Sequence, residues 1–387
     1  MFQRKNIKIC GIIAEYNPLH KGHVHHLERS KEIAGADMVI VVMSGDFVQR
    51  GAPAVCNKYE RTRMALLAGA DLVIELPTVF SLSSAEGFAE GGIRILDSLG
   101  CVDSLCFGSE CGDIEMLKEY SEKNVDESSL RKDLKNGNSY ASSYGKNLTD
   151  EDVSGIISCP NNILGIEYLR AISRTGSRLI PYTVAREGQS YSETKIDKNA
   201  GFASASAIRE SILENRKDHL AFIPSYVDKI LSEAPVVHPD MFSDMLYYKL
   251  ISEKENGFTV YADVNEELSN KIIKHIGEYK TLSSLTMLLK SKNLTYTRIS
   301  RCLFHILLDI KKEDATASPE YIRILGFKKD SSDITGIIKQ NAKLPLITKL
   351  ADAPDIHSLK KDIDRAFLYE KAAGSGLNEY RTSPVII

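Results

Sequence analysis

The sequence predicts an α/β fold with a doubly wound parallel sheet, followed by an all-helical C-terminal domain. Apolar runs of strand length alternate with helical patterns over the first half of the chain, as in parallel sheets with right-handed crossovers. These runs are continuously apolar, which is typical of strands buried on both faces. Beyond Pro235 the strand signals fade and leucine-rich helical periodicity dominates. We therefore expect one domain over residues 1–235 and a second over residues 236–387.

Length, charge and cysteine content narrow the classes of function. With 387 residues, the chain is long enough for two domains and a sizeable core. A formal net charge of −3 gives no global attraction to nucleic acid, so such a partner would need a local basic face. No apolar run is long enough to span a bilayer, and the seven scattered cysteines are typical of a reducing compartment. We expect a cytoplasmic protein with no membrane partner.

The first apolar run, residues 7–14, predicts a buried strand that gives way to a helix. An Asn-Pro step interrupts the run, and His20 and His23 stand where the helical pattern starts. A helix N-terminus presents free N–H groups and the positive end of the helix dipole. Gly22, between the two histidines, lets an anion approach the backbone closely. This turn therefore predicts a phosphate site.

The same histidines have two other interpretations. His20, His23, His25 and His26 are crowded enough for a metal site, since two of them could share one helix face. Against this, no carboxylate or cysteine stands at ligand spacing, and phosphate binding explains the Gly-His step better. The histidines could also be surface residues at a polar helix start. We expect a phosphate site and no metal site.

The next part of the chain continues the alternation. In a doubly wound sheet, ligands bind at the carboxyl ends of the strands, so Ser44, Arg50 and Gly108 are candidates to face a substrate. No G-x-G-x-x-G fingerprint follows the first strand, so NAD is not expected. We expect strands at residues 36–43, 71–77 and 104–108, and helices at residues 58–68 and 84–99.

A charged and polar stretch at residues 114–158 has the composition of an insertion. A helix then starts with a proline and two asparagines, and either Asn161 or Asn162 can cap it while the other binds a ligand. The fifth strand, residues 179–184, leads to Arg186, which again places an arginine at a carboxyl end.

A second helix N-terminus with hydroxyls and a basic side chain follows at residues 204–209. Ser204 or Ser206 is the expected cap, and Arg209 would supply the charge for a second phosphate site, with help from Lys198.

The helical part carries basic residues interleaved with tyrosines, a combination that is typical of RNA-binding surfaces. A solvated helix face is the alternative interpretation. The members of this basic face are Lys290, Lys292, Arg298 and Arg301.

These motifs carry a resemblance to a known family. The turn at residues 20–23 resembles the His-x-Gly-His signature of the nucleotidyltransferase superfamily, and residues 204–209 resemble its second phosphate motif without the lysine-rich form. Over nearly its full length, the chain is similar to the bacterial tRNA(Met) cytidine acetate ligases. The stretches that carry this similarity are EYNPLHKGH at residues 15–23, VMSGDFVQRG at 42–51, FGSE at 107–110, PNNILG at 160–165 and YTRISR at 296–301.

The resemblance implies an enzyme that converts ATP, carried with Mg²⁺, and acetate to acetyl-adenylate. The enzyme would then acetylate the wobble cytidine of elongator tRNA(Met) at N4, with the helical domain binding the tRNA. It implies that His20 and His23 are catalytic and that further ATP contacts fall at Gly108, Asn161 and Arg186, with Asn161 preferred to its neighbour. The implied ATP cradle consists of Ile12, Ile13, Ala14, Glu15, Tyr16, Asn17, Pro18, Leu19, His20, Lys21, Gly22, His23, Val24 and His25.

Two other functions stay open at this point. A metabolite adenylyltransferase would share the core but would not need the helical tail. A non-catalytic RNA-binding protein with a vestigial core would not need the two histidines, and their presence argues against it. Pyrophosphate release that depends on both acetate and ATP would separate the three functions.

Overall fold

The computed structural model describes residues 7–123, 159–186, 202–291 and 294–387. The strands are β1 Ile9–Ala14, β2 Met38–Ser44, β3 Phe47–Val48, β4 Ala52–Pro53, β5 Leu72–Leu76, β6 Ser104–Ser109, β7 Ile180–Ala185, β8 Ile322–Phe327, β9 Leu346–Ile347 and β10 Val385–Ile386. The helices of the first half are α1 Lys21–Ile33, α2 Lys58–Leu67, α3 Thr78–Ser81, α4 Ala85–Ser98, α5 Ile114–Glu122, α6 Pro160–Thr175 and α7 Ala205–Leu213. Those of the second half are α8 Ser225–Glu233, α9 Ser243–Glu253, α10 Glu266–His275, α11 Leu282–Leu289, α12 Tyr296–Leu307, α13 Asp333–Asn341 and α14 His357–Ala373.

In the described part of the chain, one central sheet has the order β10-β8-β5-β2-β1-β6-β7, with β9 beside β8. Every pair from β5 to β7 is parallel, so the predicted α/β class with a mostly parallel, doubly wound sheet is confirmed. The short strands β3 and β4 form a separate antiparallel hairpin. The parallel strands are apolar on both faces because each face is covered by helices.

Two hydrophobic cores lie on opposite faces of this sheet. On one face, side chains of alternate strand positions such as Ile13 pack with Phe88 of α4 and Ile166 of α6. On the other face, Ile12 packs with Leu27 of α1 and residues of α2 and α8. As β1, β6 and β7 are parallel, their carboxyl ends share one edge of the sheet, where the helices α1 and α6 begin.

A third core belongs to helices α9 to α12 and is built mainly from leucines such as Leu246, Leu268 and Leu303. This core also includes Phe47 of β3, whose ring lies 5.7 Å from that of Phe304 and 5.9 Å from that of Tyr369 on α14. The helical part therefore packs directly on the β3–β4 hairpin.

The expectation that the C-terminal part is all-helical needs a correction at β8. This strand pairs antiparallel with β5 and extends the central sheet. Arg323 lies within it, 4% exposed, and its guanidinium pairs with Glu75 of β5 at 3.2 Å and with Glu379. A charged residue inside a short apolar run weakens the local strand signal, and the two compensating carboxylates come from distant parts of the sequence. The domain boundary at residue 235 stays a prediction.

No helix within the described ranges combines the length and apolar character needed to cross a bilayer.

Candidate functional site

A cavity opens at the carboxyl edge of the sheet, where β1, β6 and β7 end and where α1, α6 and α7 begin. Helix N-termini present unpaired N–H groups, so their convergence favours an anionic ligand. The candidate residues that line the cavity are Ile12, Ile13, Ala14, Glu15, Tyr16, Asn17, His20, Gly22, His23, His25, Gly108, Asn161, Arg186 and Arg209.

The two histidines of the turn form the N-terminal cap of α1. His20 is the N-cap residue, and its Nδ1 accepts a hydrogen bond from the backbone N–H of Gly22 at 3.1 Å. His23 is the third residue of the helix, and its Nδ1 accepts from the backbone N–H of His20 at 3.3 Å. The two rings stack with centroids 3.7 Å apart, and the ring of Tyr16 meets His23 edge-on at 5.0 Å. The capping bonds therefore fix the orientation of both imidazoles.

Burial and nearby arginines keep these imidazoles neutral. Burial, together with the charges of Arg186 and Arg209, lowers the pKa of His20 to about 3. The pKa of His23 lies well below its usual value for the same reason, with His20 and Arg186 contributing after burial. A neutral imidazole whose Nδ1 accepts a hydrogen bond carries its proton on Nε2. Both rings therefore offer an Nε2–H donor, and the positive charge beside them comes from the two arginines.

Asn161 and Asn162 have different roles at the start of α6. Asn161 lines the cavity, and its Oδ1 accepts a hydrogen bond from Nη1 of Arg186 at 3.3 Å. Asn162 is 2% exposed, and its Oδ1 accepts from the backbone N–H groups of Glu110 and Cys111 at 2.9 and 3.1 Å. Asn162 thus holds the loop after β6, whereas Asn161 faces the cavity.

The close approach of Arg186 to β6 favours a glycine at position 108. A Cβ added to Gly108 would lie 3.3 Å from Cγ of Arg186 and 3.9 Å from His26. Gly108 therefore leaves space for the side chain of Arg186 at this strand end.

The second predicted phosphate motif is only partly at the cavity. Arg209 lines it, and its Nη1 donates to the carbonyl oxygen of Asn17 at 2.7 Å. The hydroxyl of Ser206 accepts from the same guanidinium at 3.1 Å. Ser204 is the N-cap of α7, and its hydroxyl accepts from the N–H of Ala207 at 3.1 Å. Neither serine is part of the cavity wall, so they position the arginine and the helix. Lys198 lies outside the described residues.

Four members of the predicted cradle also point away from the cavity. Leu19 is fully buried in the core below α1, and Val24 packs against the same core. Lys21 is exposed, and its Nζ donates to the carbonyl oxygen of Ala221 at 2.6 Å. Pro18 does not line the cavity either.

Arg61, which sequence reasoning missed, holds the loops of the site together. It is fully buried on α2 and donates to the carbonyl oxygens of Glu15 at 2.8 Å and of Ser44 and Cys56 at 3.0 Å each. It also donates to the carbonyl oxygen of Gly45. One guanidinium therefore satisfies three carbonyls at the ends of β1 and β2 and a fourth just before α2, and it fixes the cradle relative to the neighbouring loop.

Other cavity residues were not predicted because their local pattern is that of core positions or of plain loop residues. These residues are His26, Gln49, Phe88, Phe107, Leu164, Tyr168, Val184, Ala185, Phe202, Ala203 and Ala205. Ser44 is fully buried, and Arg50 is half-buried and does not line the cavity.

Comparisons with known proteins identify the family of this chain. The model of the HIGH Nucleotidyl Transferase family matches residues 7–381. The chain is 40% identical to the tRNA(Met) cytidine acetate ligase of Clostridium perfringens over 98% of this chain and 100% of the relative. It is 39% identical to that of Thermoanaerobacter sp. over 94% of this chain and 92% of the relative.

This chain belongs to the tRNA(Met) cytidine acetate ligases, within the HIGH nucleotidyl transferase family.

Solved structures from the ligase family share the fold. The apo crystal structure of Thermotoga maritima TmcAL superposes with a TM-score of 0.89 at 28% identity, covering 98% of this chain and 100% of that chain. A crystal structure of the same protein bound with alpha-thio ATP gives a TM-score of 0.86 at 28% identity. The family resemblance predicted from the motifs is thus confirmed.

In this ligase, the described residues of the basic face lie at the end of α11 and on α12. One of these basic side chains is paired with a carboxylate of the protein itself. Lys290 is exposed at the end of α11, and Lys292 lies outside the described residues. Arg301 donates from Nε to Asp263 at 2.8 Å, and this carboxylate raises the pKa of the guanidinium against the effect of burial. Arg298 is half-buried near the same carboxylate. The role of this basic face in binding tRNA stays a prediction.

Helix α12 also contacts the loop that leads to the cavity. The hydroxyl of Ser300 donates to the carbonyl oxygen of Gly51 at 2.5 Å, and a Cβ at Gly51 would collide with the backbone of Arg301 at 2.2 Å. Gly51 has φ +75° and stands two residues after Gln49, which lines the cavity. The basic face of the ligase is therefore joined to the cavity rim by a short, tightly packed loop.

Proposed function

We propose that this protein activates acetate with ATP and transfers the acetyl group to N4 of the wobble cytidine of elongator tRNA(Met). The observation that carries the proposal is the pair of capped, neutral imidazoles flanked by Arg186 and Arg209 at the carboxyl edge of the sheet. We infer the substrates from membership in the tRNA(Met) cytidine acetate ligases. Since the proposed substrate is a tRNA, we expect the protein to act in the cytoplasm.

In the first step, an acetate oxygen attacks the α-phosphorus of ATP. The bond to the bridging oxygen breaks, and pyrophosphate leaves with the electron pair. Charge builds up on the phosphate oxygens, so fixed N–H donors lower the barrier. The Nε2–H groups of His20 and His23 supply such donors, and a bound triphosphate raises the pKa of both rings because its negative charge favours their protonated form.

The remaining cavity groups hold the nucleotide. Asn161 fixes Arg186 for a contact with ATP, and the small Gly108 leaves room for the arginine at the ribose or base. Arg209 is held next to the cradle by its bond to Asn17. Mg²⁺ enters with ATP and is held largely by phosphates and water.

In the second step, the N4 amine of cytidine attacks the acetyl carbonyl carbon of the adenylate. AMP leaves, and N4 loses one proton. The anticodon must reach the cavity for this step, and the basic face next to the rim loop gives the tRNA phosphates a place to bind. Electrostatic attraction of this kind is weakened by salt.

A direct test measures pyrophosphate release and acetyl transfer to tRNA by the purified protein. We expect pyrophosphate release to require both ATP and acetate, and acetylated cytidine to appear only with tRNA(Met). His20→Ala should remove both activities, whereas His357→Ala, at an exposed histidine at the start of α14, should leave them unchanged. Pyrophosphate release that ignores acetate would indicate a metabolite adenylyltransferase, and its absence under all conditions would indicate a binding protein.

A further inference from the structure

The cavity has two chemically different sides. The two histidines and Arg209 lie at the starts of α1 and α7, and Arg186 follows β7. On the side of α4 and α6, the wall is apolar and consists of Ile13, Phe88, Phe107, Leu164 and Tyr168. A triphosphate needs the first side, so the second is left for another part of the substrates.

Tyr168 carries the one feature of this apolar wall that packing does not explain. Its side chain is 2% exposed, and its hydroxyl has no hydrogen-bond partner among the described residues. A buried hydroxyl that loses water without gaining a partner destabilises the fold, and a phenylalanine would avoid this cost. A tyrosine at such a position is explained if a ligand accepts its hydrogen bond.

The hydroxyl of Tyr168 is a donor under all ordinary conditions. Burial raises its pKa above the usual value, and the nearby carboxylate of Glu15 raises it further. Glu15 also lines the cavity, and its Oε1 accepts a hydrogen bond from the backbone N–H of Gln49 at 2.9 Å. The phenol therefore stays neutral and can donate to a carboxylate.

We infer that this apolar side is the acetate subsite, in which the Tyr168 hydroxyl donates to an acetate oxygen and the methyl group packs against Phe107 and Leu164. The inference rests on the proposed function and specifies where its small carboxylic acid binds. Asn161, Leu164 and Tyr168 are spaced by three and four residues on α6 and share one face. The face that holds Arg186 for the nucleotide thus continues into the subsite.

The wall of this subsite is rigid, which limits the length of the acid. Phe107 and Tyr168 pack with ring centroids 5.4 Å apart. A Cβ on Gly165 of α6 would lie 2.6 Å from the Phe107 ring, and one on Gly92 of α4 would lie 2.5 Å from Ile13. These two glycines let the wall close tightly, so longer acids should be rejected by about 10-fold or more for each added methylene.

The test is steady-state pyrophosphate release by full-length Tyr168→Phe, without tRNA. We expect the KM for acetate to rise by about 10-fold or more, because a hydrogen bond to a charged group is lost, and the KM for ATP to stay the same. Since the hydroxyl has no hydrogen-bond partner among the described residues, the melting temperature should not fall. Tyr248→Phe, at a tyrosine that is 75% exposed on α9, serves as the matched control.

A second variant tests the size limit. Leu164→Ala should increase the ratio of kcat/KM for propionate to that for acetate by about 10-fold. Unchanged acetate KM in Tyr168→Phe, with a lower melting temperature, would mean that the hydroxyl serves Glu15 and would overturn the subsite. Equal losses for ATP and acetate would also overturn it. If the wild-type protein itself showed no acetate-dependent pyrophosphate release, the proposed function would fail instead.

Discussion

Replacing His20 with asparagine should separate its two roles. In the structure, Nδ1 of His20 accepts the capping bond from the backbone N–H of Gly22, which leaves Nε2–H as a donor in the cavity. Asparagine is among the best N-cap residues, so His20→Asn should keep the helix start, while His20→Ala should lose about 1 kcal/mol of stability. Neither variant can place a donor at the Nε2 position, and the loss of one such donor lowers kcat by about 100- to 1000-fold.

The assay is acetate-dependent pyrophosphate release, measured together with the melting temperature of each variant. We expect His20→Asn to melt like the wild-type protein and to be about as slow as His20→Ala. His357→Ala controls for the loss of a histidine that is remote from the cavity. A rate for His20→Asn within about tenfold of the wild type would refute a transition-state role for this imidazole, since the expected loss is larger.

Three further predictions concern other parts of the site. Because burial holds the pKa of His20 at about 3, the folded protein binds fewer protons than the unfolded chain below the usual histidine pKa of 6.5, so stability should fall as the pH is lowered from 6.5 towards 3. Denaturant titrations at several pH values, compared for the wild type and His20→Asn, would show a smaller fall in the variant. Asn161→Ala should raise the KM for ATP with little change in melting temperature, whereas Asn162→Ala should lower the melting temperature, because two buried N–H groups lose their acceptor; the reverse result would contradict the assignment. Alanine at all four positions of the basic face should weaken tRNA binding and flatten its dependence on salt, while adenylate formation without tRNA survives; unchanged acetylation at every salt concentration would place the tRNA elsewhere.

The sequence predicted the sheet and the histidine turn because both depend on local patterns. A continuous apolar run of strand length followed by His-x-Gly-His specifies a buried strand, a turn and a helix start, and the structure places His20 at the cap. The alternation of strands and helices likewise predicted that β1, β2, β5, β6 and β7 run parallel in the central sheet. The roles of Asn161 and Asn162 could not be separated locally, because they depend on Glu110 and Arg186 from other strands.

Three features could not be predicted because they depend on contacts between distant residues. Strand β8 contains Arg323, whose charge is compensated by Glu75 and Glu379. Arg301 was expected to be free on a basic face, but its pairing with Asp263 became visible only in the fold. Tyr168 has the helical spacing of a core residue. Its hydroxyl, which has no hydrogen-bond partner in the part of the chain that the structure describes, is what distinguishes it from one.

The position of β8 has a consequence for the synthesis of the protein on the ribosome. Strand β5 pairs on one side with β2 and is complete once residue 76 has emerged, but β8, its partner on the other side, begins at residue 322. Until then the nascent chain exposes an unpaired strand edge. Lys58 and Glu75, both buried in the finished protein, also lack their later ion-pair partners, which are Glu379 for Lys58 and Arg323 for Glu75. Exposed edges promote association between chains. The central sheet is therefore completed only by the last segment of the chain. A truncated chain that ends after α12, before β8, should aggregate rather than act as a smaller enzyme.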